Sequence, residues 1–104
     1  MNRGEVYRIR LPAGRGHEQR GLRYAVIVQA DELLGLSTAL VAPTSRSAAP
    51  AVLRPEIDLA GEVTRVLVEQ LRAVDLKRLG EHVGRLTLEE QGAVDDSLEL
   101  ALGL

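Results

Sequence analysis

The sequence predicts a mainly β fold: a small, strongly curved antiparallel sheet with one helix at its C-terminal end. Three observations carry that expectation. Apolar, β-branched runs of strand length recur, most clearly over residues 24–30 and 63–71. Glycine, proline and small polar residues interrupt them at short intervals. Helical spacing of apolar residues, behind a capping sequence, is confined to the last stretch.

Taken in order, residues 5–11 place Tyr7, Ile9 and Leu11 on one face and Arg8 and Arg10 on the other, the alternation of a half-buried strand. Pro12 to Gly16 reads as loop, and the mixed polar stretch to Leu22 extends it. Residues 24–30 are nearly continuously apolar, as in a central strand. A single helical turn is expected at 31–34, and a short strand over 38–42 that Pro43 stops, followed by a loop over 45–50. Pro55 limits 52–59 to an edge strand. Residues 63–71 form the second strong strand, and 72–74 a short one. Asp75 caps one helical turn that ends near Gly80, and residues 82–86 form a last strand. Thr87 and Glu90 make a capping box for a helix that buries Leu88, Val94, Leu98, Ala101 and Leu102.

The chain has 104 residues, the size of a single domain, here 1–104, with one modest core. No apolar run reaches the roughly 18–20 residues of a membrane span. Arg8 and Arg10 interrupt the first apolar segment, so no signal-peptide core is expected. Cysteine is absent, which excludes a disulfide framework and a thiolate metal site. A cytoplasmic location without a membrane partner is expected.

The formal net charge of −2 conceals an asymmetry. Residues 1–30 carry six arginines against Glu5 and Glu18, whereas residues 47–104 carry six basic groups against eleven acidic ones. A basic face on an acidic body suits one phosphate-bearing strand docked at one site. Arginine, which supplies twelve of the thirteen basic residues, presents planar bidentate donors that match phosphate oxygens. With Tyr7 and Tyr24 the only aromatics, an aromatic base-stacking platform of the kind used by many single-strand binders is not expected.

The most informative segment is Gly16-His17-Glu18-Gln19-Arg20-Gly21-Leu22-Arg23-Tyr24, which runs directly into Ala25-Val26-Ile27-Val28-Gln29. It sets charged side chains on a glycine-flanked loop anchored by an apolar strand. Together with Arg3-Gly4-Glu5-Val6-Tyr7, Val41-Ala42-Pro43-Thr44-Ser45 and Val68-Glu69-Gln70-Leu71-Arg72-Ala73-Val74-Asp75, it resembles the MazF/PemK family of toxin endoribonucleases. The resemblance runs from Arg3 to Leu104.

It implies an SH3-like barrel of the MazF/PemK/CcdB-like kind. It also implies the toxin of a type II toxin–antitoxin system: a metal-independent, sequence-selective endoribonuclease. Such an enzyme cuts single-stranded RNA (mRNA, tRNA or rRNA) to a 2′,3′-cyclic phosphate and a 5′-hydroxyl. A homodimer and a cognate antitoxin, MazE-like or other, whose C-terminal segment fills the RNA groove, are further implications. The alternatives are a non-catalytic toxin of the same fold that acts on a protein such as gyrase, or a degenerate interaction module.

Metal-free RNA cleavage requires a proton acceptor for the 2′-hydroxyl, stabilisation of charge on the phosphorus oxygens and a proton for the leaving oxygen. Arg23 stands where the resemblance puts a catalytic arginine, and Thr44 where it puts a catalytic threonine. A fixed guanidinium stabilises a phosphorane-like transition state, and a hydroxyl positions the 2′-hydroxyl or a phosphate oxygen. Glu18 is the nearest candidate base, arginine being too basic for that role. Arg15, Gln19, Arg20, Ser45, Arg46 and Gln70 are candidate RNA contacts. Gln70 would share a strand face with Arg72, and equally fits a buried amide. The two histidines are far apart in sequence, and His82, beside an expected turn at Gly84, reads as a surface residue. No cofactor and no metal ligand set is expected. Two departures from the family pattern stand out: Tyr24 where proline is common, and a Pro43-Thr44 spacing one residue tighter, which leaves Ser45 as the alternative hydroxyl.

Overall fold

The computed structural model describes residues 1–11, 16 and 21–104. Seven strands and one long helix follow in chain order: β1 Glu5–Leu11, β2 Gly21–Ile27, β3 Thr38–Ser45, β4 Glu56–Leu59, β5 Glu62–Val66, β6 Arg72–Asp75, β7 Leu79–Arg85 and α1 Leu88–Leu102. Short 3-10 turns occupy Asp31–Leu33, Val68–Gln70 and Leu76–Arg78. The strands run in the order β4-β5-β3-β2-β1-β7, with β6 pairing the first half of β3. Every pairing is antiparallel.

The sheet is curved enough to bury both faces of its centre. Val6, Val26, Val28, Ala42, Val66 and Val94 belong to one core cluster, under α1. Ile9, Leu11, Ala25, Ile27, Val41 and Val74 belong to a second on the opposite face. This explains why β2 is apolar without alternation: its two sets of side chains enter two different cores. β2 also starts and ends three residues earlier than its apolar run suggests, because Leu11 pairs with Gly21 and draws the polar approach into the ladder.

β3 corrects the sequence reading most plainly. Pro43 does not stop it. The strand passes from its last pair with β2, Ala25 with Pro43, to its first with β5, Thr44 with Val66. Proline's missing N–H falls at that change of partner, where the ladder is interrupted anyway, and the Pro43 carbonyl accepts from Leu67 N at 2.8 Å. The expected strand over 63–71 is also shorter. It ends at Val66 and turns tightly over Val68–Gln70, with Leu71 N donating to Val68 O at 3.2 Å. The apolar run reflects burial of Val66, Leu67 and Val68 rather than continuous extension.

The turn capped by Asp75 is present, its carboxylate accepting from Lys77 N at 2.8 Å. β7 begins directly after it and runs through Gly80 and Gly84. Gly84 is therefore a strand residue paired with Val6, not a turn. The capping box at Thr87 and Glu90 forms as the sequence predicts. Of the helix residues expected in the core, Val94 is fully buried and Leu98 packs partly, but Leu88 is 94% and Leu102 55% exposed, and Ala101 is exposed too. Val94 marks the face of α1 that meets the sheet, and Leu88, Ala101 and Leu102 project away from it.

Gly4 ties the N-terminal segment to this helix. Its φ of +89° is one that side-chain-bearing residues rarely adopt, and an added Cβ would lie 2.5 Å from Gln91 Oε1. Its N–H donates to Ile27 O and its carbonyl accepts from Leu86 N, so glycine lets one residue bridge β2 and the entry to α1.

Candidate active site

Cross-strand register builds the site. Arg8 on β1 lies directly opposite Tyr24 on β2. Thr44, the next residue along β3 after the Ala25–Pro43 pair, sends its hydroxyl to the Tyr24 carbonyl at 3.0 Å. Arg23 immediately precedes Tyr24. Three strands thus deliver two guanidinium groups, a phenol and a hydroxyl to one region. They line a cleft of about 920 Å³, walled on one side by the β4–β5 hairpin and on the other by Glu81, His82 and Val83 of β7. The hairpin reaches over the cleft through a tight turn in which Ala60 (φ 55°) and Gly61 (φ 83°) both take left-handed conformations.

The sequence-predicted residues divide into three groups. Arg23, Thr44, Ser45 and Arg46 all line the cleft. Gln70 does not: the tight turn over Val68–Gln70 replaces the strand whose alternation would have aimed it beside Arg72. Glu18, Arg15, Gln19 and Arg20 lie outside the described residues.

Thr44 is 3% exposed, and because its hydroxyl hydrogen is committed to Tyr24, its oxygen can act only as an acceptor in this geometry. Arg23 is exposed. Ser45 and Ser47 hydroxyls meet at 3.3 Å. Arg46 forms an ion pair with Glu62, both side chains well exposed. Among the described residues, Arg8, Arg23 and Arg46 outnumber the lining carboxylates Glu62 and Glu81, so this part of the cleft favours an anion.

Several lining residues escaped the sequence reading: Arg8, Tyr24, Glu62, Thr64 and His82. Arg8 places a guanidinium nitrogen 3.4 Å from the Tyr24 hydroxyl and its Cζ 5.8 Å from the ring centroid. His82 is a half-exposed strand residue at the cleft rim. Its Nε2 lies 3.0 Å from Glu5 Oε2, and its ring meets Tyr7 edge-on at 5.2 Å. Burial, reinforced by the charge of Glu5 and a 3.4 Å hydrogen bond to it, raises the Tyr7 phenol above its ordinary range. Long-range pairing makes these residues neighbours: β1 with β2 and β7 brings together Arg8, Tyr24 and His82, and the β4–β5 hairpin brings in Glu62 and Thr64. Among the described residues no three histidine, aspartate or glutamate side chains gather as a metal-ligand set, and no helix is long and apolar enough to cross a membrane.

Residues 2–102 match the family described as PemK-like, MazF-like toxin of type II toxin-antitoxin system. A Mycobacterium tuberculosis protein named as a toxin is 42% identical, across 98% of this chain and 97% of its own length. The Staphylococcus epidermidis endoribonuclease MazF is 32% identical, across 100% of this chain and 92% of its own. The crystal structure of MazF from Deinococcus radiodurans, 20% identical, superposes with a TM-score of 0.88, covering 100% of this chain and 97% of that one.

Proposed function

The chain belongs to the PemK-like, MazF-like toxins of type II toxin–antitoxin systems, an RNA-cleaving family, and we propose that it cuts single-stranded RNA at the Arg23–Thr44 cleft without a metal ion. The observation that carries this reading is that Arg23 and Thr44, 21 positions apart in sequence, line one cationic cleft. Arg23 holds the scissile phosphate and stabilises the charge that builds on its non-bridging oxygens. Thr44, its own proton engaged by Tyr24, accepts from the 2′-hydroxyl and aligns that oxygen with phosphorus. The 2′-oxygen gives up its proton and attacks, the P–O5′ bond breaks, the leaving 5′-oxygen takes a proton from water, and the products are a 2′,3′-cyclic phosphate and a 5′-hydroxyl. Arg46 extends the phosphate track and supplies positive charge from the protein itself. Glu18 remains the proposed proton acceptor. Arg15, Gln19 and Arg20, close to Glu18 in sequence, are proposed RNA contacts.

The working unit proposed is a homodimer held in check by a cognate antitoxin. Sedimentation at micromolar concentration should give roughly twice the 11.3 kDa chain mass. The decisive experiment incubates purified protein with single-stranded RNA in excess EDTA and maps the ends. Cleavage that persists, leaves cyclic phosphate and fails on a substrate with deoxyribose at the cut supports the reading. Dependence on magnesium, or efficient cutting of the deoxy substrate, would overturn the chemistry. Growth arrest with no RNA cleavage would favour a non-catalytic toxin acting on a protein.

A further inference from the structure

The Tyr24 ring has no part in the cleavage chemistry, yet Tyr24 lines the cleft between contacts to Arg8 and Thr44. We infer that Tyr24, with Arg8 beside it, is a docking platform for one nucleobase of the bound RNA strand, adjacent to the phosphate held by Arg23; this rests on the RNA-cleaving reading of the cleft. Four features of the ring carry the inference. It packs partly against the core cluster under α1 and also lines the cleft, so its position is fixed while part of its surface faces the ligand space. Its backbone carbonyl receives the Thr44 hydroxyl at 3.0 Å, which locks the ring's strand to the residue that positions the 2′-hydroxyl. The Arg8 guanidinium, 5.8 Å from the ring centroid, adds a second planar group at the same place. Arg23, the preceding residue, sets a phosphate contact one position away.

A nucleobase is the ligand that matches this set. Aromatic rings and guanidinium planes both accept a base by stacking, and a basic groove tracking the backbone completes the arrangement used for single strands. The other aromatic residue is committed elsewhere: Tyr7 contacts Glu5 and the edge of His82 and is not a lining residue of the cleft. Stacking alone tolerates any base. Discrimination at this position therefore comes from Arg8, whose donors suit a base edge rich in acceptors, such as that of guanine.

The composition of the chain provides a direct test. It contains two tyrosines and no tryptophan, so Tyr7→Phe leaves Tyr24 as the sole tyrosine emitter. The probe is a single-stranded RNA with deoxyribose at the cut site, which binds without being cleaved. Tyrosine emission of the Tyr7→Phe protein should fall as RNA saturates it, and an abasic nucleotide at one position beside the cut should abolish the fall. Tyr24→Phe should bind RNA nearly as well as wild type. Tyr24→Leu should bind roughly 5- to 150-fold more weakly, the range for losing one stacked base, and should raise KM more than it lowers kcat. Unchanged Tyr24 emission at saturating RNA, or Tyr24→Leu binding at wild-type strength, would overturn the platform while leaving the enzyme assignment intact. A wild-type protein that neither binds nor cuts RNA would remove that assignment, and the platform with it.

Discussion

The Thr44 hydroxyl donates its hydrogen to the Tyr24 carbonyl at 3.0 Å, from a side chain only 3% exposed. The bond crosses between β3 and β2 just beyond their last ladder pair, so one hydroxyl serves both as a sheet tie and as a group of the cleft. Thr44→Val should therefore lose cleavage and, by leaving a buried carbonyl unpaired, about 1–3 kcal/mol of stability. Thr44→Ser keeps the hydroxyl and should retain most of both. Thermal melts and single-turnover cleavage of the two variants separate the roles. A Thr44→Val protein that melts lower but cuts at the wild-type rate would leave only the structural one.

Arg23→Ala removes an exposed guanidinium without opening the core. Cleavage should drop by about 10²–10³, the usual cost of deleting one charge-stabilising contact, and growth arrest should disappear with it. The melting temperature should stay close to wild type. A folded Arg23→Ala protein that still cuts normally would show that the charge on phosphorus is met elsewhere in the cleft.

What could be read from the sequence follows the range of the interactions responsible. Local chemistry announced the capping box at Thr87, the Asp75 cap and the alternation of β1, all decided within a few residues. Motifs brought out Arg23, Thr44, Ser45 and Arg46, which do line one cleft. Long-range pairing hid the rest. Nothing near Pro43 in sequence reveals that β3 changes partner there, which is what lets the strand continue. Arg8 reads as a solvent-facing residue of an alternating strand, and only its register with Tyr24 makes it part of the site. Leu88 and Leu102 have helical spacing suited to burial, but both side chains are left exposed in the folded chain.

Arg3 fastens the helix to the N-terminal segment through Asp95, 2.7 Å away, while its Nε donates to Val28 O. Burial pushes the Asp95 carboxyl up, but hydrogen bonds from Arg3 and Gln91 and the Arg3 charge outweigh it and hold the pKa below its ordinary value near 3.8. A depressed folded-state pKa means that the pair stabilises the protein above the ordinary carboxylate value and that this is lost as pH falls through the lower one. Asp95 is 42% exposed, which keeps the effect modest. Melting temperature should decline with acidification in that window, and Arg3→Met should flatten the decline. Identical acid profiles for the two proteins would place the acid-sensitive contact elsewhere.

The Arg46–Glu62 pair links the residue after β3 to the start of the neighbouring β5, and both residues line the cleft. A phosphate that takes the Arg46 nitrogen now held by Glu62 replaces that contact, so the carboxylate competes with substrate there. Both side chains are more than half exposed, so the pair itself is worth little, about 0–1 kcal/mol. Glu62→Gln should accordingly lower KM by a factor of up to about 5, with kcat nearly unchanged, because the change acts on binding rather than on the reacting atoms. Arg46→Ala should do the reverse, raising KM and reducing the salt dependence of RNA binding by about one counterion. Binding titrations of both variants across a range of salt concentrations distinguish a competing carboxylate from a passive one. If Glu62→Gln weakens RNA binding, the carboxylate is holding Arg46 in its binding position rather than blocking it.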